Sequence, residues 1–97
     1  MSEVSIRPAG ADRFMVAGPL QFDTVTRARK AGVELLDGRQ SLTLDLQGVT
    51  RSDSAGLALL IEWMREARQR RVQVHFENVP AQLQAIARAS RLERILR

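Results

Sequence analysis

The stretch Arg51-Ser52-Asp53-Ser54-Ala55-Gly56-Leu57 holds the residue types most able to do chemistry, because it falls where a strand hands over to a helix. Asp53 or Ser54 can cap that helix by accepting hydrogen bonds from backbone N–H groups of its first turn. Ser54 also presents a hydroxyl beside the positive end of a helix dipole, where a phosphate is stabilised. Gly56 removes a side chain within the same turn and lets another backbone approach closely. A plain helix cap and a phosphate-accepting serine both fit this spacing.

Other chemistry finds little support. The glycines are isolated, so no phosphate-cradling loop is spelled out. His75 is the sole histidine and there is no cysteine, so a metal site lacks its usual ligands. Asp45 and Asp53 bracket a loop, but no acid–base partner or nucleophile system stands beside them. The residues point to a protein that is not an enzyme and needs no cofactor or metal.

A second feature lies on the helix that follows the junction. Leu57, Leu60, Ile61, Met64 and the stem of Arg68 form its expected core stripe. Leu59 and Trp63 sit four apart and off that stripe, with Glu62 and Glu66 nearby. Large apolar residues rimmed by charge, next to the Ser54 cap, read as a docking patch. Edge packing of Trp63 against a neighbouring helix is the other reading of the same spacing.

The elements that must position these residues follow from hydrophobic period. Val4–Arg7 and Arg13–Ala17 alternate as strands, joined by a turn-rich link and ended by Gly18-Pro19. From about Phe22 the period becomes helical, with Phe22, Val25, Ala28, Gly32, Leu35 and Leu36 on one stripe and Asp23 as N-cap. Gly32 is either a close-packing point or a weakness of that helix. Leu42, Leu44 and Leu46 mark a third strand, Gln47–Asp53 a loop, and Ser54 to Arg70 the second helix. Val72, Val74 and Phe76 mark a fourth strand. Asn78-Val79-Pro80 opens a third helix lined by Leu83, Ile86 and Ala87 and broken near Ser90. Leu92, Ile95 and Leu96 form a last amphipathic turn.

The order ββαβαβα predicts an α/β domain with a four-stranded mixed sheet in the order 1-2-3-4. The first strand is antiparallel, and the crossover connections are parallel and right-handed. Every strand alternates, so the helices are expected mainly on one face. The other face, with Thr43, Asp45, Gln73 and His75, is expected to be largely open.

With 97 residues, 44% of them apolar and 27% charged, the chain has the size and composition of one globular domain over 1–97. The N-terminus shows no signal peptide, and Ala55 to Ile61 is too short an apolar run to cross a membrane. A cytoplasmic location is expected. The net charge is +4, and of fifteen basic residues only Lys30 is a lysine. Arginines gather at Arg65, Arg68, Arg70 and Arg71 and at Arg88, Arg91, Arg94 and Arg97. Positions late in a helix suit the macrodipole, and no aromatic residue interleaves with them, so no nucleic-acid partner is expected.

Leu44-Asp45-Leu46 followed by Val49-Thr50-Arg51-Ser52-Asp53-Ser54-Ala55-Gly56-Leu57 resembles the signature of STAS domains, the family of anti-sigma-factor antagonists and sulfate-transporter tails. Gly18-Pro19-Leu20 and Phe76-Glu77-Asn78-Val79-Pro80 extend the resemblance over essentially the whole chain. It implies a STAS-like four-stranded mixed sheet with helices on one side. In the sigma-regulatory branch a kinase phosphorylates the hydroxyl residue just before the motif's glycine. Ala55 stands there in this chain, with Ser54 one place earlier as the possible phosphorylation site. Gln21 stands where many members carry an acidic residue.

Asp53 to Leu60, continued by Ile61-Glu62-Trp63-Met64-Arg65, is similar to the STAS subunits of Mla phospholipid-transport ABC complexes. That resemblance implies a non-catalytic subunit, peripheral to the inner membrane and without direct membrane insertion. Its partner would be the cytoplasmic ABC ATPase, in a complex with its permease that maintains outer-membrane lipid asymmetry. The implied contact residues are Ser52, Asp53, Ser54, Ala55, Leu59, Glu62 and Trp63.

Overall fold

The computed structural model describes residues 3–96, apart from the Ile95 side chain, so Arg97 and the expected packing of Ile95 lie outside the described residues. Four strands form one sheet in the order β1-β2-β3-β4. They are β1 (Ser5–Gly10), β2 (Arg13–Leu20), β3 (Ser41–Ser52) and β4 (Gln73–Glu77). β1 runs antiparallel to β2, whereas β2–β3 and β3–β4 are parallel. The helices are α1 (Val25–Glu34), α2 (Ser54–Gln69) and α3 (Ala81–Ala89), followed by a 3₁₀ turn, Glu93–Leu96. The expected mixed sheet and strand order are therefore observed.

Alternation explains the layering. Phe14 and Val16 of β2 and Leu42, Leu44 and Leu46 of β3 are buried together with Ala28, Leu57, Leu60, Leu83 and Ala87 of the helices. Residues of opposite parity point to the other face of the sheet, where His75 and Gln73 are exposed.

Several details differ from expectation. β2 does not end at Gly18-Pro19 but continues to Leu20, with a register shift between Gly18 and Leu20 that accommodates the proline. Gly18 takes φ 93° and backs onto the chain at Glu3 and Val4, leaving no room for a Cβ. β3 runs through the expected loop as far as Ser52, because the prolonged β2 remains beside it as a pairing partner.

α1 begins at Val25 rather than Phe22, and Asp23 does not cap it. Thr24 instead accepts from the Gln21 N–H (3.0 Å) and donates to the Pro19 carbonyl (2.8 Å), which holds the preceding residues in a turn. Phe22 therefore leaves the core stripe and is 83% exposed. On α2 the buried arc comprises Gly56, Leu57, Leu59, Leu60, Trp63 and Ala67, whereas Ile61 and Met64 are half-buried and Arg68 is exposed. α2 packs between α1 and α3, so its covered arc is wide and turned toward α1.

Candidate functional site

Asp53 organises the β3–α2 junction. Its extended backbone (φ −133°) places the side chain over the helix start, where Oδ1 accepts from the N–H groups of Ala55 (2.9 Å) and Gly56 (3.2 Å). Oδ2 accepts from the Phe22 N–H at 3.1 Å, and the Asp53 N–H donates to the Leu20 carbonyl at 3.3 Å. One carboxylate thus caps α2 and pins the β2–α1 connection to it. Gly56 completes the joint, since a Cβ there would stand 2.6 Å from the Leu20 carbonyl oxygen.

Around this joint the side chains divide by depth. Ser54, the first residue of α2, is exposed, and Ala55 is half-buried beside it. The Ser52 N–H donates to Gln82 Oε1 of α3 (3.0 Å), while the Ser52 hydroxyl is buried without a hydrogen-bond partner. From Ala55 a groove of about 710 Å³ runs between α1 and α2, lined by Phe22, Val25, Arg29, Leu59 and Glu62 among others. Arg29 bridges its far wall through Glu62 (3.5 Å) and Glu66 (3.6 Å).

Of the two readings that the spacing of Leu59 and Trp63 allows, docking patch or packing against a neighbouring helix, the structure shows the packing, and both are core residues. Leu59 is 4% exposed and reaches the groove only as its floor, and Trp63 is 1% exposed. The Trp63 Nε1–H donates to the Arg29 carbonyl at 3.3 Å, so α1 covers the indole and satisfies its donor. The apolar surface beside Ser54 comes instead from Phe22. Reading Phe22 as part of a helical stripe hid it, and the signal that could have revealed it is the Pro19 and Thr24 turn chemistry before Val25.

A second constellation lies on the face away from the helices. Asp45 was expected on an open surface, yet it is 4% exposed. Arg13 Nη2 donates to Asp45 at 3.1 Å and also bridges to Glu77. The Asn78 amide (3.0 Å) and the Gln47 N–H (2.9 Å) donate to the other Asp45 oxygen. These bonds, from Asn78 first and then Gln47 and Arg13, hold the Asp45 carboxyl below its ordinary pKa against the opposing effect of burial. Arg13 likewise holds Glu77 low. Among the described residues no cluster of His, Cys, Asp and Glu is arranged to hold a metal, and no helix is long and apolar enough to cross a membrane.

The family described as "Mlab, STAS domain" matches residues 7–97. No curated protein matches the chain. Among solved structures it is similar to the anti-sigma factor antagonist SpoIIAA in its unphosphorylated form, with TM-score 0.72 and 15% identity over 94% of this chain and 83% of that one. The phosphorylated form of SpoIIAA, a Bacillus cell fate determinant, gives TM-score 0.69 and 15% identity over 94% and 86%. The murine anion transporter Slc26a9 gives TM-score 0.66 and 22% identity over 84% of this chain but 14% of that chain. At these identities the structural likeness is one of fold. With a family match running from Arg7 to the C-terminus, the chain belongs to the STAS domain family, in its Mlab-type branch.

Proposed function

We propose that this domain is a non-catalytic accessory subunit of an ABC-type phospholipid transporter. It binds the cytoplasmic ATPase and thereby supports the complex that keeps outer-membrane lipids asymmetric. The observation that carries the reading is the exposed Phe22 held beside exposed Ser54 at the mouth of the α1–α2 groove, in a chain of the Mlab-type STAS family. An aromatic side chain 83% open to solvent and tied by its own backbone to the Asp53 cap is an anchor awaiting a pocket. Ala55 and Glu62 line the same groove, Leu59 floors it, Ser54 opens the helix after the Asp53 cap, and Ser52 and Asp53 shape the junction. Trp63 acts from beneath, by holding α1 and α2 together.

Affinity purification of the tagged protein from its own cell, with mass spectrometry of the co-purifying proteins, tests the proposal. Recovery of an ABC ATPase with its permease is the expected result. Recovery of a kinase-like anti-sigma factor without such an ATPase would overturn it.

The second reading is an anti-sigma-factor antagonist switched at Ser54. Exposure of this hydroxyl in the first turn of α2 favours it, because a phosphate there meets the positive helix end and adds about −2 charges to a partner surface. Ala55 in the place just before Gly56 stands against it. Incubation with the cognate kinase followed by intact-mass analysis separates the two readings, and an unmodified Ser54 removes the second.

A further inference from the structure

α2 and α3 end on the same local pattern. Ala67-Arg68-Gln69-Arg70-Arg71-Val72 and Ala87-Arg88-Ala89-Ser90-Arg91-Leu92 both read alanine, arginine, two residues, arginine, aliphatic. In each, the alanine is buried and its carbonyl accepts from the aliphatic residue's N–H, at 2.8 Å from Val72 and 2.6 Å from Leu92. The N–H groups of Arg71 and Arg91 donate to the carbonyls of Arg68 and Arg88, both at 3.1 Å. Such paired bonds close a helix with its next residue in the left-handed region, and Arg71 and Arg91 both take φ 59°. Glycine is the residue that conformation favours, and an arginine there costs stability. Asp12 and Asn78 take the same conformation in turns, but at these two helix ends the residue that takes it is a cation.

Topology brings the two ends to one edge of the molecule. α2 leads into the start of β4, β3 and β4 are parallel, and α3 returns from the far end of β4 while packing on α2. Arg68, Arg71, Arg88 and Arg91, at or within one turn of these ends, are all exposed; Arg88 also lines a groove with Gln84 and Glu93, and none of the four forms an ion pair among the described residues. Their neighbour Arg70, by contrast, is engaged by Glu66 and Asp37. The edge lies at the opposite end of α2 from Ser54, roughly 24 Å along the helix axis for its sixteen residues.

We propose that this four-arginine edge is an electrostatic docking surface for an anionic phospholipid bilayer. Guanidinium groups pair with phosphate oxygens in a two-pronged geometry that lysine lacks. Nucleic acid is the weaker fit, because Trp63 and Phe14 are buried, Phe76 is half-buried against the core and Phe22 sits at the other end, leaving no stacking platform at this edge. The choice of a bilayer as occupant rests on the reading that the ATPase partner belongs to a membrane transporter. In that arrangement the Ser54 end holds the ATPase while the arginine edge meets the membrane.

The test is co-sedimentation of the full chain with vesicles of phosphatidylglycerol in phosphatidylcholine at about 0.1 M salt. Binding is expected to these vesicles and not to pure phosphatidylcholine, and it weakens as salt rises. Each arginine at such a surface is worth about five-fold in partition, so Arg71→Gly with Arg91→Gly should lose about 25-fold. The same pair relieves two left-handed arginines, so its thermal midpoint should hold or rise, which separates lost binding from lost folding. Arg7→Gln with Arg27→Gln removes equal charge elsewhere and should lose much less.

Failure of the unaltered chain to sediment with phosphatidylglycerol overturns the proposal, as does an equal loss from both pairs. Tighter retention by an RNA oligonucleotide than by the vesicles would also overturn it, assigning the edge to nucleic acid. No ATPase is present in this assay, so its failure leaves the transporter reading standing. Failure of that reading in the affinity purification likewise leaves the vesicle result intact.

Discussion

Trp63 fills the space that a side chain on Gly32 would need. A Cβ on Gly32 would stand 2.7 Å from the indole Cζ2, and the indole N–H reaches the Arg29 carbonyl one turn earlier on α1. Gly32 is therefore a close-packing point, and its conformational cost is offset by the aromatic surface it lets α1 bury.

Both members of this pair should be sensitive to substitution. Gly32→Ala gains helix propensity but drives a methyl group into the indole, with a net loss of about 1–3 kcal/mol. Trp63→Ala should lose about 3–5 kcal/mol, which for a domain this small threatens folding itself. Urea denaturation followed by far-UV circular dichroism measures both.

Phe22 should behave in the opposite way. Being 83% exposed, Phe22→Ala should leave stability within about 0.5 kcal/mol of the parent. Partner affinity should fall at least about thirty-fold if the ring is the anchor. Titration calorimetry with the partner that the affinity purification recovers reads the affinity, and an unchanged value places the interface elsewhere.

Asp53 offers a finer dissection, because its two oxygens serve different elements. Asp53→Ala removes the cap of α2 and should cost about 0.5–2 kcal/mol. Asp53→Asn keeps a carbonyl for Ala55 and Gly56 but turns an N–H₂ toward the Phe22 N–H. Asparagine should therefore cost less stability than alanine while still weakening partner binding, since it releases the backbone that holds Phe22.

Asp45 sets an acid limit on stability. Its folded pKa lies below the ordinary 3.8, so the folded state favours the charged form. Its contribution is fully present above the unfolded pKa and is lost as pH falls through the lower, folded value. Glu77, also held low by Arg13, acts in the same direction. Acid unfolding should thus steepen below about pH 4, and Asp45→Asn should flatten that limb. An unaltered acid limb in this variant would show that the Arg13, Asn78 and Gln47 bonds contribute nothing to pH dependence.

Local pattern by itself determined a good part of this protein. Alternation of Leu42, Leu44 and Leu46 set one face of β3, the order of periods set the strand order, and Asp53 before Ser54-Ala55-Gly56 marked where α2 begins. These features depend on neighbours a few residues away, so spacing and residue type suffice to read them. Helical period fixes the angle between Leu57 and Trp63 but not which side of α2 another helix will cover. Only the packing of α1, made possible by Gly32, decided that Trp63 is core. The turn at Pro19 and Thr24 decided that Phe22 is surface, because side-chain bonds to the backbone there replaced the first turn of helix. Strand register decided the charged cluster, joining Arg13 to Asp45 and Glu77 across 32 and 64 positions of chain. Contacts at such separations follow from how the strands align, which no short stretch of sequence encodes.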